Sequence, residues 1–302
     1  MRTKTITYAA VGILIAAAGG GILADRSALA AETTVATLAK QTHFHGIAVD
    51  PGDPSRLYLA THRGLYVVSP DGRASEVSAT RDDFMGFTAH PTDPATLYAS
   101  GHPARGGNLG FIASSDGGKS WTSLSPGASG PVDFHQMDVS KADPKVIYGA
   151  YGDLQRSVDG GRTWLRVGPP PEGLISVAAS SQSADRVYAA TQQGLFMSKD
   201  GGKSWSPAHP ARRPATVVHV TSGGFLYAFI AGVGLVRTAE SDLSWSVVSN
   251  SFGNAYLLHL AIDPKGDQTL HAVAIDPDKR AQTIVVSRDG GATWATLGSQ
   301  EG

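Results

Sequence analysis

The chain has 302 residues, with 25 Lys/Arg against 26 Asp/Glu, 41% hydrophobic and 17% charged residues, and no cysteine. A charge balance this close to neutral, without any Lys/Arg run, lacks the electrostatic footprint of a nucleic-acid binder; zero cysteines exclude disulfides, thiolate catalysis, thiolate metal sites and a lipoprotein anchor. With 36 glycines and 17 prolines, the composition suits a turn-rich β protein rather than a helical bundle or a disordered chain.

Arg2 and Lys4 precede an apolar stretch from Tyr8 to Ala24, and the small-residue site Ala28-Leu29-Ala30 follows before Glu32. This is the layout of a secretory signal peptide over residues 1–31, with an uncleaved N-terminal anchor as the alternative. It predicts a secreted or periplasmic protein that meets a membrane only through this segment. Arg2, Lys4, Arg26 and Asp25 fall before the cleavage site, so the mature chain is mildly acidic. Residues 32–42 read as a linker carrying one further strand, Thr34 to Leu38, expected to pair with the sheet near Trp294.

From residue 43 to 302 the sequence repeats. Each unit opens with an apolar strand and a polar turn, as at Asp53-Pro54, Asp93-Pro94 and Asp143-Pro144. A strand with a tyrosine follows (Tyr58, Tyr98, Tyr148, Tyr188, Tyr227), then a short strand often begun by Gly-Leu. Units start near His45, Met85, His135, Ile175, Val218 and Leu258, a period of roughly 40 to 50 residues with four strands each, which is the signature of propeller blades. We name these strands a to d from the channel outward.

The third and fourth strands are joined by a recurring box, Ser-x-Asp-Gly-Gly-x-(Ser/Thr)-Trp. It occurs at Ser114 to Trp121, Ser157 to Trp164, Ser198 to Trp205 and Ser287 to Trp294. Thr238 to Trp245 is a variant with Glu240 in place of Asp, and Ser69 to Arg73 keeps only the turn. Asp-Gly-Gly supplies a tight turn with positive φ, its carboxylate can accept backbone N–H bonds, and the Trp can pack between blades. The box is therefore read as a folding device on the face opposite the d-to-a loops.

These boxes resemble those of the BNR/Asp-box repeat proteins, and the resemblance covers residues 43–302. That family includes sialidases and other glycosidases, sortilin-type receptors and photosystem II assembly factors, so it implies a fold more than a role. The expected fold is an all-β β-propeller of six four-stranded blades, with a seventh, degenerate blade as the alternative.

Aligning the a strands puts His45, Met85 and His135 in one row at a channel mouth, and His219 with His259 in the next. The b-to-c loops add His62, Arg63, His102, Arg105 and Asp153 to that mouth; the d-to-a loops add His43, Asp82, Asp83 and Asp133. His43, His45, Met85, His102, Asp133 and His135 are thus the candidate ligand-binding residues. Imidazole suits Cu and Zn, and thioether favours Cu(I), so His43, His45, His102, His135 and Met85, with Met137, form a candidate metal set. The bland reading makes them hydrogen-bonded channel liners.

A glycosidase needs two carboxylates flanking the scissile bond, and Asp83 and Asp133 are the candidates. Sialidase chemistry would need three clamping arginines, and no three occupy matching positions. The sequence is read as a non-catalytic, exported binding propeller that recognises a protein partner, a glycan or a metal at one mouth. A glycosyl hydrolase-like (sialidase-superfamily) enzyme is the alternative, and an assembly or stability factor for an exported or membrane complex is the second.

Overall fold

The structure, a computed structural model, describes residues 32–299, so the expected signal peptide or anchor lies outside the described residues. No helix among the described residues is long and apolar enough to cross a membrane. Those residues form six antiparallel sheets, each with four consecutive strands in a-b-c-d order, the sheet of blade one carrying a fifth strand at its outer edge. Blade one comprises Phe44–Val49, Leu57–Thr61, Gly64–Val68 and Arg73–Glu76; blade two comprises Asp83–Ala89, Leu97–His102, Phe111–Ser114 and Thr122–Ser125. Blade three comprises Gln136–Val139, Ile147–Tyr151, Asp153–Ser157 and Leu165–Gly168. Blades four, five and six begin with Leu174–Ala179, Ala215–Val220 and Tyr256–Ile262. Each a strand packs against those of its two neighbours, and blade six meets blade one, so the sheets close into a six-bladed propeller.

The burial pattern explains the arrangement. The b strands, such as Leu57-Tyr58-Leu59-Ala60-Thr61, are buried throughout because neighbouring blades cover both faces, whereas d strands such as Thr122–Ser125 lie largely in solvent. Tyr148, Tyr188 and Tyr227 are fully buried at equivalent b-strand positions.

The box works as its chemistry predicts. In blade three, Ser157 Oγ donates to Asp159 Oδ1 and accepts from the Gly161 N–H, while Asp159 accepts from the Thr163 N–H and hydroxyl. Trp164 lies between blades, its ring against Phe111 of blade two and Phe134 of blade three, and its Nε1–H donates to Gly161 O and Ser125 Oγ. Gly161 has φ +84°, and a Cβ there would stand 2.0 Å from the Phe111 ring. Only glycine fits that contact. In blade five, Glu240 instead leaves its own turn: it accepts from Ser181 N–H and Oγ of blade four at 3.0 and 2.6 Å.

The N-terminal segment differs from expectation. Thr33–Thr34 pairs with Arg73 and Ala74 at the outer edge of blade one, and Val35–Gln41 is a helix rather than a strand. Thr34 caps the helix by accepting from the Thr37 N–H, and Val35 and Leu38, three positions apart, share the buried face. The helix lies against Ala281–Ser287 of blade six. Gln282 of that strand accepts from the Phe44 N–H (3.1 Å) and donates to Thr42 O and Ala39 O, joining blade six to blade one. The ring therefore closes through a side chain and a helix, and blade six is completed by its own Ala295–Thr296.

Candidate functional site

At one mouth of the propeller, blades one to three bring histidines and carboxylates together. His45 sits in the blade-one a strand, where Phe44 pairs with Thr61 and Gly46 with Ala60, which makes His45 the extra residue of a β-bulge. A bulge re-aims its side chain, and His45 meets blade two: its Nδ1 lies 3.0 Å from Asp83 Oδ1. His62, at the tight turn between the b and c strands, places its Nδ1 2.6 Å from Asp83 Oδ2. The two imidazole rings lie 4.0 Å apart, and the exposed His43 ring stands 5.6 Å from that of His62.

Asp83 opens the a strand of blade two and pairs across the sheet with His102. The approach depends on Gly101 (φ +119°), where a Cβ would lie 1.9 Å from Asp83 O. Burial pushes the Asp83 carboxyl up, but the His45 and His62 imidazoles outweigh it and hold the group below its ordinary value.

A second cluster follows around Asp133. His102 Nε2 and His135 Nε2 lie 2.8 and 2.7 Å from the same oxygen, Asp133 Oδ2, and the Asp133 side chain is only 4% exposed. His102 Nδ1 also contacts Gly107 O at 2.8 Å. A carbonyl accepts only from a protonated nitrogen, so this contact raises the His102 pKa, with help from Asp133 and Asp83.

The structure thus divides the expected metal set. His43 and His45 gather with His62 and Asp83, whereas His102 and His135 belong to Asp133, because that carboxylate at the blade-two to blade-three junction draws both imidazoles onto one oxygen. Met85 sits two positions beyond Asp83 on the same strand, partly buried, and Met137 belongs to the hydrophobic cluster around Phe134. The sequence put His62 at this mouth without making it a donor; its place opposite His45 follows from the bulge. Asp82 accepts from the Ala104 N–H and fastens the loop after His102, while Asp153 is engaged by Arg166 of its own blade.

The central channel encloses about 440 Å³, lined among others by His45, His135, Asp138, Lys141, His219 and His259. Asp138 binds Lys141 Nζ (2.5 Å), the Thr88 hydroxyl and the Ala179 N–H, so it joins blades two, three and four. The expected row of His219 with His259 is offset. The bulge residue is Thr216 in blade five and Leu258 in blade six, which makes Val217 the counterpart of His259 and sets His219 two positions deeper. Both imidazoles are half-buried in the channel wall, and desolvation by the protein packed around them lowers each pKa to about 4.

Sequence reasoning missed an aromatic at the same mouth. Tyr151 ends the b strand of blade three with its side chain in solvent, and its hydroxyl accepts from Asn108 Nδ2 at 3.1 Å. The Tyr148-x-x-Tyr151 spacing, with the second tyrosine at the b-to-c turn, was the available signal.

No protein-family model matches the chain. It is similar to a xyloglucanase of Paenibacillus sp., 26% identical over 295 residues, covering 85% of this chain and 26% of that protein. A xyloglucanase of Hypocrea jecorina (strain QM6a) is 26% identical over 203 residues, covering 63% of this chain and 22% of that protein. The chain spans about a quarter of the length of these curated relatives. Among solved structures, the GH74 xyloglucanase from Xanthomonas campestris matches with TM-score 0.58 and 19% identity, over 88% of this chain and 46% of that one. YCF48 from Cyanidioschyzon merolae matches with TM-score 0.51 and 16% identity, over 88% of both chains. At these identities the structural likeness establishes the propeller fold.

Proposed function

We propose that this chain is an exported, glycoside-hydrolase-like propeller of the BNR/Asp-box kind that engages a xyloglucan-type polysaccharide at the mouth of blades one to three. The observation that carries this reading is the similarity to a xyloglucanase across 85% of the chain. It favours the hydrolase-like alternative over a general binding role. The site chemistry supports it: exposed imidazoles and the Asn108 amide offer hydrogen bonds to sugar hydroxyls, and the exposed Tyr151 ring offers an apolar face to a pyranose.

The carboxylates constrain what chemistry could follow. Asp83, held ionised by two imidazoles, is suited to accept a proton rather than give one, and Asp133 lies beneath His102 and His135. His102 is the imidazole at this mouth whose pKa is raised, by its Gly107 O contact first, which makes it the candidate proton donor for hydrolysis.

Xyloglucan oligosaccharides, assayed both for binding and for reducing-end release, test the proposal. Saturable binding at millimolar or lower concentration that is lost in Tyr151→Ala is the expected result. Release abolished in Asp83→Asn or His102→Ala assigns hydrolysis to this mouth. Neither binding nor release with any xyloglucan fragment overturns the reading.

A further inference from the structure

His45, His62 and Asp83 offer donor atoms that all lie within 4.8 Å of one another. We propose that they form a binding site for a divalent first-row transition ion of the Cu²⁺ or Zn²⁺ kind, an assignment that does not rest on the glycan reading. Two imidazoles with one carboxylate form a donor set suited to such ions.

Three observations carry the assignment. The first is convergence: ligands about 2.1 Å from a metal at tetrahedral or octahedral angles stand roughly 3 Å apart, and His45 Nδ1 lies 3.0 Å from Asp83 Oδ1. The second is misalignment. His45 Nδ1 and Asp83 Oδ1 are both buried, yet neither has a hydrogen-bond partner among the described residues despite their proximity. Two polar atoms left in that state cost stability. Buried donor atoms that stand close together yet unpaired are satisfied when both bind one cation.

The third observation is preorganisation. His45 is directed by its bulge, His62 by the tight turn whose Thr61 hydroxyl holds Gly64 O and accepts from the Arg63 N–H, and Asp83 by the close approach at Gly101. His62 bonds Asp83 Oδ2 at 2.6 Å much as His135 bonds Asp133 Oδ2, so what sets this site apart from the Asp133 cluster is the buried imidazole nitrogen of His45 left without a partner. Asp83 supplies the negative charge, and the side chain of His62, 46% exposed, leaves an approach from solvent.

The test uses the full chain without a histidine tag, stripped with chelator and titrated separately with Cu²⁺ and Zn²⁺ by calorimetry. The expected result is one ion per chain with Kd below about 1 μM for at least one of them. The Cu²⁺ form should show electron paramagnetic resonance couplings to two or more imidazole nitrogens. His62→Ala, at an exposed turn, should weaken binding at least tenfold in a metal-free protein that still unfolds cooperatively, while His135→Ala should leave affinity as it was. Absence of saturable binding below about 10 μM for both ions, wild-type affinity in His62→Ala, or an equal loss in His135→Ala would each overturn the site.

Discussion

His102 and Asp133 are joined at 2.8 Å through the imidazole Nε2, while the other ring nitrogen of His102 is committed to Gly107 O. Engagement of both nitrogens favours imidazolium. Histidine NMR titration should therefore give His102 a midpoint above the ordinary 6.5. Asp133→Asn should lower it only in part, because the Gly107 contact, the largest cause, remains. A folded-state pKa raised in this way stabilises fully below pH 6.5 and is lost as pH rises through the folded midpoint. A wild-type midpoint at or below 6.5 would refute the geometry.

Acid should reveal the boxes. Hydrogen bonds from Ser120, Thr163 and Thr293, first their hydroxyls and then their backbone N–H groups, bring Asp116, Asp159 and Asp289 down to about 2. A depressed carboxylate contributes stability above its unfolded value near 3.8, and that contribution disappears as pH falls through 2. Denaturant midpoints should therefore drop between pH 4 and pH 2. Asp159→Asn should melt at lower temperature at pH 7 and lose less on acidification.

The channel histidines predict a second window, at milder pH. Burial holds His219 and His259 near 4, so between pH 6.5 and 4 the unfolded chain binds protons that the folded one does not. Stability should fall as pH drops through that interval. Substituting both by Gln should flatten the urea midpoint against pH there; an unchanged slope would show that neither imidazole is kept neutral by the fold.

Gly161→Ala should destabilise the protein by about 2 to 4 kcal/mol, combining the strain of positive φ with overpacking against Phe111. The measurement is a urea unfolding curve. Gly106→Ala is the control: it shares a positive φ, but no atom stands within 4 Å of its added carbon, so the difference between the two isolates the contact with the neighbouring blade.

Gln282→Ala should cost about 1 to 3 kcal/mol, since it leaves the Phe44 N–H and the Thr42 carbonyl at the junction of blades six and one without their side-chain partner. Hydrogen exchange should rise first at Phe44 and along the helix Val35–Gln41. Uniform loss of protection around all blades would contradict that order.

How far the sequence could be read follows from how local each determinant is. Ser157, Asp159, Gly161 and Trp164 determine their turn within eight residues, so the box and the blade count were legible. The helix was not: Val35-Ala36-Thr37-Leu38 fits either a short strand or one helical turn, and the Thr34 cap with the cover from blade six decides for the helix. The site was half legible. Alignment of the repeats placed histidines at one mouth, but whether His45 met Met85 or His62 turned on a one-residue bulge, which changes the aim of a side chain without changing the residue pattern. The same sensitivity displaced His219, where the bulge of blade five falls at Thr216.

The closure at Gln282 gives the ring a polarity that its pseudo-symmetry hides. The four strands a to d of every blade are consecutive and no strand is shared between blades six and one, so the joint between them can part without unzipping any sheet. Such a ring behaves as a clasped bracelet: force or denaturant applied to the termini should open it at the clasp, with each blade still intact. The histidine cluster of blades one and two lies one blade from that clasp, so a ligand that tightens His45 against blade two would brace the a strand whose first residue, Phe44, the clasp holds.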